Sequence, residues 1–179
     1  MPEIEIRPAV ASDIPLLIAI DHNYSTEFVW QMEIQAEDKQ VGVSFREIRL
    51  PRSVRVDYPR PVSSLADDWT HRSGLLVATL EAEAVGYVSL MLDIAPITAW
   101  VTDLAIVRRL RRQGIGSTLV LAAQEWGEQH DARRLVLEIQ PKNFPAIKMT
   151  QKLGFDFCGY NDRYFANHDI ALFFAKSLR

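Results

Sequence analysis

Along this chain apolar and polar side chains alternate residue by residue in some stretches and recur with a helical period in others. Glu3 to Arg7 alternates as a half-buried strand does, and Pro8 interrupts it. Ser12 as an N-cap, Pro15 in the first turn and Leu16, Leu17 and Ile20 on one side predict a helix, which Asp21-His22-Asn23-Tyr24 ends. The short-period alternation of Phe28 to Ile34 and of Val41 to Val56 predicts extended structure. Pro51, Pro59 and Pro61, followed by Ser63-Ser64 and Asp67-Asp68, mark a long connection leading to Trp69 within one domain covering 1–179.

The second half is more regular. Leu75 to Leu80 and Ala84 to Leu92 predict adjacent strands joined by a turn at Glu81-Ala82-Glu83, and Ile97 to Ile106 predicts a third. Ile115, Leu119, Ala122 and Trp126 share one helical face in a segment closed by Asp131. Leu135 to Gln140 alternates again until Pro141, and Asn143 caps a short helix with Pro145 near its start and Gly154 after its end. Phe155 to Phe165 and Asp169 to Ala175 predict two closing strands. Strands interspersed with a few helices give an α/β or α+β domain around a mixed sheet.

Composition narrows the partners. With 179 residues, 48% of them hydrophobic, the chain can bury a core of its own. Lysine and arginine number 20 against 23 acidic residues, a net charge of -3, so no overall positive field draws the protein to nucleic acid. Cys158 is the only cysteine, which excludes an internal disulfide and predicts a small core residue in a reducing, cytoplasmic setting. Met1 to Glu5 lack a basic flank and an apolar run, and no segment is long and apolar enough for a membrane span. His22, His71, His130 and His168 are too dispersed to make a metal site.

The chemistry concentrates at Val107-Arg108-Arg109-Leu110-Arg111-Arg112-Gln113-Gly114-Ile115-Gly116-Ser117, between a predicted strand and a predicted helix. Glycines let the backbone turn tightly there, and the first-turn amides of the helix have no intrahelical acceptor. With four nearby arginines and the positive end of the helix dipole, this turn suits a pyrophosphate or another polyanion. It is neither a Walker A loop nor a dinucleotide fingerprint, since Leu119 stands where the latter has its third glycine.

Arg111-Arg112-Gln113-Gly114-Ile115-Gly116 after Leu104-Ala105-Ile106, together with Asn143-Phe144-Pro145-Ala146-Ile147 and Lys152-Leu153-Gly154-Phe155, resembles the GCN5-related N-acetyltransferase (GNAT) superfamily. Leu137-Glu138-Ile139-Gln140, Asn143, Asp162 and Asp169 to Phe174 also resemble its streptothricin acetyltransferase branch. The resemblance implies the GNAT fold, a central mixed sheet of about six or seven strands flanked by helices. It implies acetyl-CoA as cosubstrate and no metal. Arg111, Arg112, Gln113, Gly114, Ile115, Gly116 and Ser117 would hold its pyrophosphate, Leu104, Ala105 and Ile106 its pantetheine and acetyl carbonyl, and Asn143 would contact it across the gap. The acceptor implied is a primary amine of a small molecule, with a homodimer as the other partner to expect and neither nucleic acid nor membrane. A protein N-terminus or lysine is the alternative acceptor, and a coenzyme A-sensing domain the non-enzymatic alternative.

The resemblance also implies a tyrosine seven residues after Asn143 as proton donor to the departing thiolate, but Thr150 stands there. Tyr160 and Tyr164 are the displaced candidates. Asp103, at the end of the strand entering the turn, is the candidate base, with Thr102 competing to face the cleft; Glu81, Glu138 and Asp162 are further acidic candidates. Asp21, His22, Tyr24 and Asp162 are the residues expected to shape the acceptor pocket.

Overall fold

Leu75 to Ala78 is a continuous apolar run because both faces of its strand are covered. A computed structural model describes residues 3–179; Met1 and Pro2, in the stretch where no leader is expected, lie outside them. The strands are β1 (Ile4–Pro8), β2 (Tyr24–Glu37), β3 (Gln40–Val56), β4 (Gly74–Leu80), β5 (Glu83–Met91), β6 (Thr98–Ile106), β7 (Arg134–Ile139), β8 (Asp156–Asn161) and β9 (Ala171–Ser177). The helices are α1 (Ile14–Ile18), α2 (Leu65–Asp68), α3 (Ile115–Gln129) and α4 (Phe144–Lys152). Leu75 and Val77 of β4 pack with Ile14, Leu17, Ile20 and Leu65 on the side of α1 and α2, whereas Leu76 and Ala78 pack with Leu119, Val120 and Ala123 of α3. Side chains of a strand point alternately to its two faces, so one run feeds two cores.

The central sheet has the order β1-β4-β5-β6-β7-β9-β8. Neighbours pair antiparallel except β6 and β7, which run parallel. This is the mixed sheet and strand number expected. The long alternating stretches form a separate antiparallel ribbon, β2 with β3, whose register jumps between Thr26 and Phe28. Its base is fixed where the Trp30 amide donates to the Pro141 carbonyl at 3.0 Å and where Phe28 stacks on Phe144 at 4.7 Å.

Several boundaries move. Ser12 caps no helix: Ala11–Asp13 is a 3-10 turn ahead of α1, and the Asp13 carboxylate accepts from the Val10 amide at 2.8 Å. Asp13 also pairs with Arg7 at 2.7 Å, whose hydrogen bonds hold its carboxyl below the usual range. The strand expected from Phe155 to Phe165 stops at Asn161, and the last one starts at Ala171 rather than Asp169. Cys158 is exposed on β8 instead of buried. The long connection contains α2, flanked by single 3-10 turns.

The feature that positions the site is a gap between β6 and β7. They pair only from Thr98 opposite Arg134 to Val101 opposite Leu137. Beyond that point each strand follows its own antiparallel partner, β6 with β5 and β7 with β9. The β5–β6 register slips between Ser89 and Leu90, which face Asp103 and Val101, leaving Thr102 as the extra residue of a bulge. A bulge bends its strand and adds twist, so β6 swings away from β7 at that point.

Gly74 shows how closely α3 is seated. A Cβ there would lie 2.6 Å from Cζ2 of Trp126. Gly74→Ala is expected to force the indole aside and lower stability by about 1–3 kcal/mol. Urea unfolding followed by fluorescence measures this, and an unchanged midpoint would mean that Trp126 moves freely.

Candidate active site

The gap opens into a cavity of about 600 Å³ that runs from the start of α3 to the diverging ends of β6 and β7. At one end the chain turns from β6 into α3 through Arg112 and Gly114, both left-handed with φ of 66° and 90°. A left-handed arginine is costly, and such backbone persists where the surroundings impose it. Gly114 is the N-cap of α3, and a Cβ on it would meet nothing within 4 Å, so the turn faces open space. The first amides of α3 have no acceptor within the helix. Gly116 is buried, and a Cβ on it would press on Met149 Sδ at 3.1 Å and Ile106 Cδ1 at 3.2 Å. Gly114, Gly116, Arg112 and Ser117 all line the cavity. Open space, free amides and a cationic rim fit a polyanion.

The middle of the cavity is the free edge of β6. The Thr102 carbonyl accepts from Arg60 at 2.7 Å and the Ile106 carbonyl from Arg111 at 2.9 Å, so both face away from β5. Leu104 lies two residues before Ile106 and shares that edge by strand alternation. Its amide therefore faces the gap, opposite Ile139, Gln140 and the start of α4. Asn143 lines the same wall and caps α4, its Oδ1 accepting from the Ala146 amide at 3.3 Å.

The far end is a buried ionic network. Asp103, 5% exposed, accepts from Arg72 at 2.8 Å and from the Tyr58 phenol, with Arg60 at 3.8 Å. Burial pushes its carboxyl up, but Arg60, the Tyr58 hydrogen bond and Arg72 together outweigh burial and hold it below its ordinary value. Glu138 accepts from Arg60, from the Trp100 indole and from the Tyr164 phenol, each at 2.5 Å. Arg60 thus bridges the two diverging strands, and its guanidinium lies 5.0 Å over the ring of Phe165. Beside it, His22 donates from Nδ1 to the Ile20 carbonyl at 2.7 Å and accepts from the Tyr87 phenol at 2.9 Å. Burial lowers its pKa, so the ring is neutral.

A family model described as Acetyltransferase (GNAT) family matches residues 42–155. The chain belongs to the GNAT acetyltransferase family. Streptothricin acetyltransferase of Streptomyces lavendulae is 25% identical over 161 residues, spanning 87% of this chain and 82% of that one. An N-alpha-acetyltransferase of Sulfurisphaera tokodaii is 28% identical over 125 residues, spanning 60% of this chain and 71% of its own. The crystal structure of nourseothricin acetyltransferase superposes with a TM-score of 0.82 at 22% identity, covering 98% of this chain and 99% of that chain, which is a likeness of fold. As a GNAT member the protein is an acetyl-CoA-dependent acetyltransferase, and the glycine turn and β6–β7 gap fit that cosubstrate.

Within this GNAT site the residues singled out by sequence divide into three groups. Leu104, Ala105, Ile106, Arg112, Gly114, Gly116, Ser117 and Asn143 line the cavity, as do His22, Tyr24 and Asp103. Others belong to its frame. Arg111 also lines the cavity, but it spends its guanidinium on the carbonyls of Ile106, Asn23 and Asp21, clamping the loop after α1 to the end of β6. Ile115 points into the core, and the Gln113 side chain is exposed, donating to the Arg109 carbonyl. Asp21, Tyr160 and Asp162 are outside the lining: Asp21 pairs with Arg55 at 3.3 Å, Tyr160 packs edge-on against Phe45, and Asp162 is exposed in the turn after β8. Tyr164 stands behind the wall, bound to Glu138, and burial first, then that bond, pushes its phenol up to about 12. Thr150 is fully buried, its hydroxyl shared between the carbonyls of Ala146 and Ile147.

Sequence reading missed Tyr58, Arg60 and Arg72. They lie in the proline-rich connection, which carries no periodicity, and only the fold brings them to Asp103. Among the described residues there is no group of acidic, histidine or cysteine side chains arranged to hold a metal ion, and no helix is long and apolar enough to cross a membrane.

Proposed function

We propose that the protein transfers acetyl from acetyl-CoA directly to a primary amine of a compact small molecule. The observation that carries this reading is the walled far end of the cavity. Arg60 is tied to Thr102 on β6 and to Glu138 on β7, with Phe165 beneath it. A polypeptide needs a groove open at both ends, whereas a compact amine needs only a polar pocket next to the acyl group. The polar pocket is there, in Tyr58, Arg60, Asp103 and Glu138. The resemblance to an enzyme named for streptothricin points the same way.

Acetyl-CoA supplies the acyl group as a thioester, held by the amides of the turn from Arg112 to Ser117, by the Arg112 and Ser117 side chains and by the edge of β6. The Leu104 amide is aimed into the gap, where it stabilises negative charge developing on the carbonyl oxygen. Alignment of amine and acyl group in one cavity supplies much of the rate. Asp103 has a different task from the one its position in the sequence suggests. With two arginines and a phenol on it, it is a weak proton acceptor and a firm anchor that positions Tyr58 and Arg60. The nucleophile is then the neutral fraction of the amine, and the rate rises with pH toward the pKa of that amine.

The test is incubation with acetyl-CoA and parallel panels of aminoglycosides, β-lysine-containing antibiotics, polyamines and peptides, read by mass shift and thiol release. Products are expected among the small amines. A mass increase confined to peptides would establish the protein-directed reading, which the N-alpha-acetyltransferase relative favours. Tight coenzyme binding with no product in any panel would point to a sensor.

A further inference from the structure

The glycine turn and the free edge of β6 fix the direction in which the cosubstrate lies. With its phosphates at the start of α3, its chain runs back along β6 from Ile106 past Leu104, and the acyl group beyond the sulfur points toward Thr102. The Thr102 carbonyl is already taken by the Arg60 guanidinium at 2.7 Å. Thr102 and Leu104 are two residues apart, at most about 6.6 Å along a strand, and a carbon atom meets the guanidinium at about 3.5 Å. Past an acyl oxygen held at the Leu104 amide there is room for a methyl group and little more.

Arg60 is not free to give way. It also donates to Glu138 at 2.5 Å, lies 3.8 Å from Asp103 and has Phe165 across its face at 5.0 Å. The Glu138 side chain is fully buried, and an acyl chain that pushed the guanidinium off it would leave a buried carboxylate without its counter-charge, which is costly. Behind Arg60 lies a second cavity of about 290 Å³ that reaches Ser64, His71 and Met91. The two cavities share Arg60, Thr102 and Asp103, and of these three Arg60 alone spans the gap from β6 to β7. Its side chain is the partition between a space that fits a short acyl group and a space that a longer one would need.

We propose that Arg60 sets the length of the acyl group this protein accepts, closing the β6–β7 gap behind a two-carbon acyl, and that cutting its side chain back opens the site to longer acyl-CoA thioesters. The role rests on the acetyl-CoA site described above and not on the identity of the amine.

Calorimetric titration with acetyl-, propionyl-, butyryl- and hexanoyl-CoA reads the role without any acceptor. In the native protein affinity is expected to fall at least about 10-fold from acetyl- to butyryl-CoA, the cost of forcing extra methylenes into a filled site. In Arg60→Ala the ratio of butyryl- to acetyl-CoA affinity should rise at least about 10-fold, and hexanoyl-CoA should bind at least as tightly as butyryl-CoA, because each added methylene is buried in the joined cavity. Combining Arg60→Ala with Glu138→Gln leaves no unpaired carboxylate on β7 and gives the same measurement if the single variant does not fold. Loosening of the fold would weaken all four thioesters alike, so the length preference is the quantity that decides; an equal change of ratio in Arg72→Ala would assign it to loosening and overturn the role. Equal affinity of the native protein for acetyl- and butyryl-CoA, or an unchanged ratio in the folded Arg60 variants, would overturn it as well. Failure of the native protein to bind acetyl-CoA would overturn the donor site and this role with it, whereas activity confined to peptides would overturn only the small-amine reading.

Discussion

Asp103→Asn is expected to lower stability by about 3 kcal/mol, which for a chain of this size corresponds to a melting temperature roughly 10 °C lower. The cause is the two arginines it leaves behind. Arg72 is 14% exposed and retains Asp68 at 3.1 Å as its one carboxylate, with the Ser89 hydroxyl at 2.7 Å, while Arg60 retains Glu138. A buried cation without its counter-charge costs more than the pair contributes, so these retained partners place the effect at the low end of the usual range for breaking buried pairs. The pH dependence carries the sign. The Asp103 carboxyl sits below its ordinary value of about 3.9 in the folded protein, so its contribution is complete above that value and is lost as pH falls through the folded pKa. The native protein and the Asp103→Asn variant should therefore differ at pH 7 and converge in acid. Thermal unfolding across pH decides it; equal melting temperatures at pH 7, or a difference that does not narrow in acid, would refute the ionic anchor. The folded variant should keep the native pH profile of transfer, because Asp103 is not its proton acceptor, and a lost pH dependence would return the base role to it.

Gly116→Asp should weaken acetyl-CoA binding by at least about 100-fold. A carboxylate placed among amides that face a pyrophosphate repels it by a few kcal/mol at the effective dielectric of a partly buried site. The side chain also has no room, because even its Cβ would touch Met149 and Ile106. Gly116→Ala separates the two causes: it carries the crowding without the charge and should lose much less affinity. Calorimetric titration of both variants, with circular dichroism to show that they fold, measures the difference. Unchanged affinity in a folded Gly116→Asp variant would place the pyrophosphate elsewhere.

What the sequence determined by itself is local. The order of strands and helices, the helical face of Ile115 and Leu119, the cap at Asn143 and the glycine turn at Arg112 to Ser117 all depend on neighbours within a few residues, where side-chain period and glycine freedom act directly. The family followed from two such motifs and their spacing. Tertiary structure decided everything that depends on register or on distant packing. The bulge at Thr102 turned Asp103 into the interior, and Tyr58, Arg60 and Arg72, separated from it by 31 to 45 positions, reached its carboxylate only through the fold. The same long-range packing sent Arg111 to backbone carbonyls rather than freeing it for phosphate, left Tyr160 and Asp162 outside the cavity, and brought Tyr24 to Gln140 across 116 positions. A local pattern cannot encode such contacts, because each depends on how β6 and β7 part and on what the loops crossing that gap can pair with.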